Sequence, residues 1–307
     1  PCARARLSEG RMNCIEQVTT DTYTAIHGDC VEALRGLPDE CIGYSIFSPP
    51  FASLYTYSNS PRDMGNVRDD AEFFGHFDFL VAELARVMKP GRNVSFHCMD
   101  LPASKERDGY IGLKDFPGEL LRAFQRRGFI FHAKATIWKD PVTAMQRTKA
   151  LGLLHKSVRE NAAMCRQGIP DYLITVRKPG ECERVTHAGS EYPVDLWQKV
   201  ASPVWMDINP SDTLQYASAR EHDDERHICP LQLEVIRRGV MLWTNPGDIV
   251  MSPFMGIGSE GHVALEMRRR FVGVELKASY YRQAVANLAA ATVQTDDLFA
   301  AAEAEAA

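Results

Sequence analysis

The chain has 307 residues, 45% hydrophobic and 24% charged, enough for one large α/β domain with an insertion or two small domains. A net charge of −5 excludes a polycation, although a local basic face remains open. No apolar stretch approaches the ~18 residues of a membrane-spanning helix, and Pro1 to Gly10 holds no apolar signal core, so a cytoplasmic protein without a membrane partner is expected.

In chain order, Tyr23 to Asp29 reads as a short strand and turn, with Asp29 placed to cap a helix over Cys30 to Leu37. Cys41 to Phe47 is a nearly continuous apolar strand, as buried parallel strands are. Residues 59 to 70 read as a loop. Ala71 to Met88 has helical spacing (Phe73, Phe77, Leu80, Leu84, Val87) and is stopped by Lys89-Pro90-Gly91. Asn93 to Cys98 is a third strand, Leu101 to Lys114 a loop, and Phe116 to Arg127 a helix ended by Gly128. Phe129 to Trp138 and Tyr172 to Arg177 form a last pair of strands, with Trp138 packed in the core or hairpin. Glu181 to Arg226 lacks periodicity. Helix Ile228 to Leu242, strand Ile249 to Met251, helix Glu260 to Arg270, strand Phe271 to Glu275 and helix Ser279 to Ala290 follow. Alternating strands and helices predict a doubly wound, mostly parallel sheet.

Two strand ends carry the chemistry. Ser48-Pro49-Pro50-Phe51 closes the second strand, at the carboxyl end where open α/β sheets bind ligands. Two prolines fix φ and remove two backbone donors. The Pro49 carbonyl and the Ser48 hydroxyl are then free as acceptors, and Phe51 adds a flat apolar face. Such a ledge suits a planar ring with an exocyclic amino group, such as a nucleobase. The second end is Ser252-Pro253-Phe254-Met255-Gly256-Ile257-Gly258-Ser259, a strand–helix junction where glycine lets backbone approach a ligand closely. The next strand ends in Glu275, an acid suited to ribose hydroxyls. Gly256, Gly258 and Gly261 also satisfy the bare letters of a dinucleotide fingerprint, so NAD stays open at this point.

Charge is segregated. From Lys139 to Pro170 the bases Lys139, Arg147, Lys149, Lys156, Arg159 and Arg166 face only Asp140 and Glu160. From Glu181 to Glu225 ten acids face Arg184, Lys199 and Arg220. The first stretch is a solvated helical face or a phosphate-binding one. The eight cysteines are scattered without CxxC spacing, so reduced thiols are expected, with neither disulfides nor a metal site.

With these motifs in hand, the chain resembles the amino-group DNA methyltransferases that use S-adenosyl-L-methionine. Phe254-Met255-Gly256-Ile257-Gly258 is similar to their cofactor motif, and Ser48-Pro49-Pro50-Phe51 to their catalytic tetrapeptide. The catalytic motif comes first, as in the β group, and Leu54 to Tyr57 and Asp63 to Asn66 look like phage and prophage members. Ser252 stands where the family often has Asp.

The resemblance implies a seven-stranded Rossmann-like sheet with a terminal antiparallel hairpin. Its N-terminal half would cover 14–180, an irregular recognition insert 181–226, the cofactor half 227–292 and a disordered tail 293–307. It implies methyl transfer to a base flipped from double-stranded DNA, with Ser-Pro-Pro-aromatic leaning to cytosine N4 and adenine N6 as the alternative. A catalytically silent nucleic-acid-binding module is a further one. Ser48, Pro49, Pro50 and Phe51 would be catalytic. Asp29, Phe254, Gly256, Gly258, Glu275, His227 and Pro230 would bind the cofactor, with Asp29 also a plain helix cap and His227 also a structural residue. Tyr55 would line the base pocket or pack its loop. Lys139, Arg147, Lys149, Lys156, Arg159 and Arg166 would meet DNA phosphates, while Trp197, Trp205 and Arg220 would reach the base pocket. A solitary phage-type modification enzyme is expected, and a homodimer is compatible with it.

Overall fold

The computed structural model describes residues 14–51, 70–142, 155–165, 167–187, 192–215 and 230–306. Eleven strands occur among them: β1 (Glu16–Thr19), β2 (Tyr23–His27), β3 (Ile42–Phe47), β4 (Met88–Met99), β5 (Leu101–Ala103), β6 (Gly112–Lys114), β7 (Ile130–Ile137), β8 (Asp171–Arg177), β9 (Val204–Trp205), β10 (Ile249–Ser252) and β11 (Arg270–Glu275). The helices are α1 (Cys30–Arg35), α2 (Asp70–Val87), α3 (Lys105–Asp108), α4 (Phe116–Arg126), α5 (His155–Glu160), α6 (Val194–Val200), α7 (Leu233–Trp243), α8 (Ser259–Glu266) and α9 (Ala278–Ala306).

Nine strands form one sheet in the order β1-β2-β11-β10-β3-β4-β8-β7-β9, and β5 pairs with β6 apart from it. The five central strands, β2, β11, β10, β3 and β4, are parallel. β8 runs antiparallel to both β4 and β7, and β1 antiparallel to β2. The expected seven strands are therefore nine, because short edge strands are added at both margins.

Both faces of the sheet are covered. On one, Leu34, Phe73, Phe77, Leu80 and Phe124 from α1, α2 and α4 pack on Phe47 and Phe96, with Phe96 and Phe124 stacked at 5.1 Å. On the other, Val235, Ile236, Val263 and Leu288 from α7, α8 and α9 pack on Tyr44, Ile46, Val250 and Phe271. Burial on both faces explains why β3 reads as a continuous apolar run.

Several expectations are corrected. Residues 101–114 contain β5, α3 and β6 instead of a bare loop. The segment 181–226 is not wholly irregular, since α6 lies within it and β9 joins the main sheet beside β7. Trp205 is only 2% exposed there, in the core rather than at a base pocket. Trp138, expected to pack in the core or the hairpin, is 46% exposed. The final helix runs to Ala306, where a frayed helix or disorder was the expectation.

Candidate active site

β3 and β10 are hydrogen-bonded neighbours, with Val250 opposite Tyr44 and Met251 opposite Ser45. The Ser45 hydroxyl donates to the Met251 carbonyl at 3.0 Å. The strand following β3 (β4) lies to one side and the strand following β10 (β11) to the other. The crevice between them is thus the topological switch point of the sheet, where such folds bind ligands. The two motifs, some two hundred positions apart, leave adjacent strands at the same end, and Phe47 and Phe254 meet there at 5.8 Å.

On the β3 side, Ser48 is half-buried, Pro49 buried, and Pro50 and Phe51 half-buried. Phe51 leans on Phe116, 6.2 Å away, so its ring is backed by the core. Ser48 Oγ lies 3.1 Å from His97 Nδ1. His97 Nε2 in turn lies 3.1 Å from Asp171 Oδ2, and Lys139 Nζ 2.5 Å from Asp171 Oδ1. Burial pushes the Asp171 carboxyl up, but the adjoining His97 ring and Lys139 ammonium bring it below the usual carboxylate range. Lys139, expected on DNA phosphate, is therefore engaged with a buried carboxylate.

On the β10 side the turn is built by glycine and held by an acid. Gly256 and Gly258 have φ of 52° and 88°, the left-handed region that favours glycine. Glu275 accepts the Gly256 N–H at 2.9 Å and the Lys277 N–H at 2.8 Å. A Cβ added at Gly256 would meet no atom within 4 Å among the described residues, so the turn faces open space there. Ser252 and Ser259 flank the turn with buried hydroxyls that find no hydrogen-bond partner among the described residues. Glu260, in the first turn of α8, is buried, and burial first and the Glu275 charge second raise its carboxyl to about 8.

Asp29 caps α1, its Oδ1 accepting the Glu32 N–H at 3.0 Å, beside Gly28, whose N–H bonds the Glu275 carbonyl. Phe254 and Pro230 are half-buried. Lys156 and Arg159 are exposed on α5. Tyr55, Arg147, Lys149, Arg166, Arg220 and His227 lie outside the described residues. Cys30 and Cys98 are buried, which pushes both thiols up and leaves them poor nucleophiles. Among the described residues no group of three or more His, Cys, Asp or Glu could hold a metal ion, and no helix is long and apolar enough to cross a membrane.

Sequence reasoning overlooked His97 and Asp171. The available signal was a polar side chain near the site end of each of two adjacent buried strands, next to a ledge already singled out.

A DNA methylase family model matches residues 45–286. Type II methyltransferase M.BglII of Bacillus subtilis is 23% identical over 259 residues, covering 83% of this chain and 65% of its own length. DNA adenine methyltransferase YhdJ of Escherichia coli (strain K12) is 24% identical over 275 residues, 87% of this chain and 83% of the relative. Among solved structures, a putative DNA modification methylase from Thermus thermophilus, complexed with S-adenosyl-L-methionine, has a TM-score of 0.63 at 22% identity, covering 87% of this chain and 94% of that one. PvuII DNA methyltransferase (cytosine-N4-specific) has a TM-score of 0.65 at 17% identity, covering 90% of each. At such identities these two structures establish a shared fold.

Proposed function

The chain belongs to the N6/N4 DNA methylase family, and on that premise we propose that it methylates the exocyclic N4 amine of a cytosine flipped out of double-stranded DNA. S-adenosyl-L-methionine is its cofactor, and when bound it supplies an electrophilic methyl group on a sulfonium. The tip of β10 fits it, with open space beside Gly256 and unpartnered buried hydroxyls on Ser252 and Ser259. Gly256 and Gly258 let backbone approach it, Glu275 takes ribose hydroxyls and Asp29 adenine-side contacts, and Phe254, Pro230 and His227 flank it.

An exocyclic amine is a poor nucleophile, because its lone pair is delocalised into the ring. Ser48 Oγ and the Pro49 carbonyl accept its two hydrogens, which favours a pyramidal nitrogen and turns its lone pair toward the methyl donor. The gain is positioning plus charge complementarity. A base inside a duplex cannot reach this ledge, so it is flipped at a cost of a few kcal/mol and stacked on Phe51. Lys156 and Arg159, with Arg147, Lys149 and Arg166, meet backbone phosphates. Part of 181–226, with Trp197 exposed on α6, contributes to target recognition.

The observation that supports cytosine is a neutral hydroxyl at position 48 in the crevice between β3 and β10, in a fold shared with a cytosine-N4-specific enzyme. Adenine N6 is the second reading, favoured by the match to a DNA adenine methyltransferase over 87% of the chain. Incubation with labelled S-adenosyl-L-methionine and mixed-sequence DNA, digestion to nucleosides and mass identification separates them. N4-methylcytosine is the expected product, and N6-methyladenine in its place replaces the proposal with the second reading.

A further inference from the structure

Ser48, His97, Asp171 and Lys139 form one continuous polar chain leading inward from the ledge. Its members come from four places: the end of β3, the end of β4, the start of β8 and the residue pair after β7. His97 and Asp171 are only 9% and 3% exposed. The sheet ladder does not ask for either side chain, since their register partners are Leu173 and Met99, ordinary apolar residues. A buried carboxylate without partners is strongly destabilising, and here two basic groups surround it.

The chain has a direction. Asp171 is ionised, so its oxygens only accept. A lone pair on His97 Nε2 would face Asp171 Oδ2 at 3.1 Å, so the ring hydrogen resides on Nε2. That N–H points to the carboxylate side without full hydrogen-bond alignment, so the contact is an attraction of the ring N–H dipole to the carboxylate charge. Nδ1 then presents its lone pair to Ser48, whose hydroxyl donates to it across 3.1 Å. Ser48 Oγ thereby keeps its own lone pairs for a donor arriving from outside.

We propose that this chain carries away the proton released by amino methylation, with His97 as its acceptor acting through Ser48 and Asp171 as the positioning residue behind it. The proposal rests on the reading that Ser48 binds the target amine. As the amine lone pair bonds to the methyl carbon, the carbon–sulfur electron pair stays with sulfur and the nitrogen becomes cationic. One of its protons passes to Ser48 Oγ while the hydroxyl proton of Ser48 moves to His97 Nδ1. The product amine is then neutral, Ser48 is again a hydroxyl, and His97 is an imidazolium against the Asp171 carboxylate. The proton returns to solvent before the next turnover.

Charged and titratable groups flank His97 on neighbouring elements. Cys98, Tyr172 and Lys134 lie on the opposite face of the sheet, with Lys134 over the Tyr172 ring and Tyr172 bonded to Asp100. On the His97 face, α7 brings Arg238, which is paired with Glu234 and Asp207.

Two measurements test this. In protein labelled with 15N-histidine, free of DNA, NMR should find His97 as the Nε2–H tautomer, its signals identified by their loss in His97→Gln. An Nδ1–H tautomer overturns the proposal whichever base is methylated. In single-turnover methyl transfer followed against pH, the wild type should show an acid limb. His97→Gln should lower the rate about 100-fold or more and abolish that limb, while S-adenosyl-L-methionine affinity stays unchanged. Asp171→Asn should shift the limb to lower pH, and it carries the test if the His97 variant does not fold. An unaltered rate or an intact limb in His97→Gln overturns the proposal. N6-methyladenine as product would refute the cytosine reading alone, since either amine releases one proton.

Discussion

Ser48 is the residue on which the chemistry converges, because its single oxygen faces both the crevice and His97. On the proposed function, Ser48→Ala removes one of two amine acceptors and leaves the glycine turn untouched. Turnover should fall about 100-fold, as for loss of one preorganised polar group, with S-adenosyl-L-methionine affinity nearly unchanged by calorimetry. Equal loss of both would contradict the assigned role. Glu260 offers a separate test at this scale. Burial lifts its carboxyl from its ordinary 4.5 to about 8. The folded chain therefore holds a proton that the unfolded chain releases, and this contribution weakens as pH rises from about 4.5 to about 8, then levels off. Glu260→Gln, which needs no ionisation, should melt above the wild type at pH 8 in cofactor-free protein, with the advantage shrinking toward pH 5.

Elements position these residues by simple means. α1 starts where Asp29 accepts the Glu32 N–H, and α8 starts where Gly258 takes the left-handed conformation. The least predictable element is β9. Val204–Trp205 is two residues long, too short for any periodic signal, and its place is decided by pairing with Thr136 and Ile137. Trp205 anchors it, with Nε1 donating to the Val200 carbonyl at 3.2 Å and the Arg238 guanidinium 5.1 Å over its ring. Trp205→Ala should cost about 3–5 kcal/mol in denaturant unfolding, the range for a buried aromatic. A loss below about 1 kcal/mol would mean that the segment is peripheral to the core. The contrast with β3 is instructive: Ile42 to Phe47 is buried on both faces, so its composition alone marks it as a central strand.

At the scale of the molecule, a chain of net charge −5 that binds a polyanion must do so through a local basic surface. Lys156 and Arg159 stand exposed on α5, and the Lys156–Glu160 pair at 3.6 Å is an exposed one of little worth. Replacing both with Ala should weaken DNA binding about equally for all sequences. It should also reduce the slope of log affinity against log salt by roughly 2, as two phosphate contacts are lost. An unchanged slope would move the DNA surface elsewhere. Lys139 is not part of that test, because its charge is set against Asp171 inside the sheet end.

The sequence by itself determined the alternation of strands and helices and marked both candidate site loops. Those signals are local: hydrophobic period, glycine and proline at turns, and acceptors at a strand end. Adjacency of those two loops is implied by the family resemblance and by no local signal. That β10 lies against β3, and so joins residue 48 to residue 256 in one crevice, follows from how apolar strands sort in the sheet. The link from Ser48 to His97 and Asp171 arises in the same way, from β4 and β8 pairing antiparallel, in register, at the site end. Side chains 49 and 123 positions distant from Ser48 along the chain leave no joint periodicity in the sequence, and only packing brings them within hydrogen-bond and ion-pair reach.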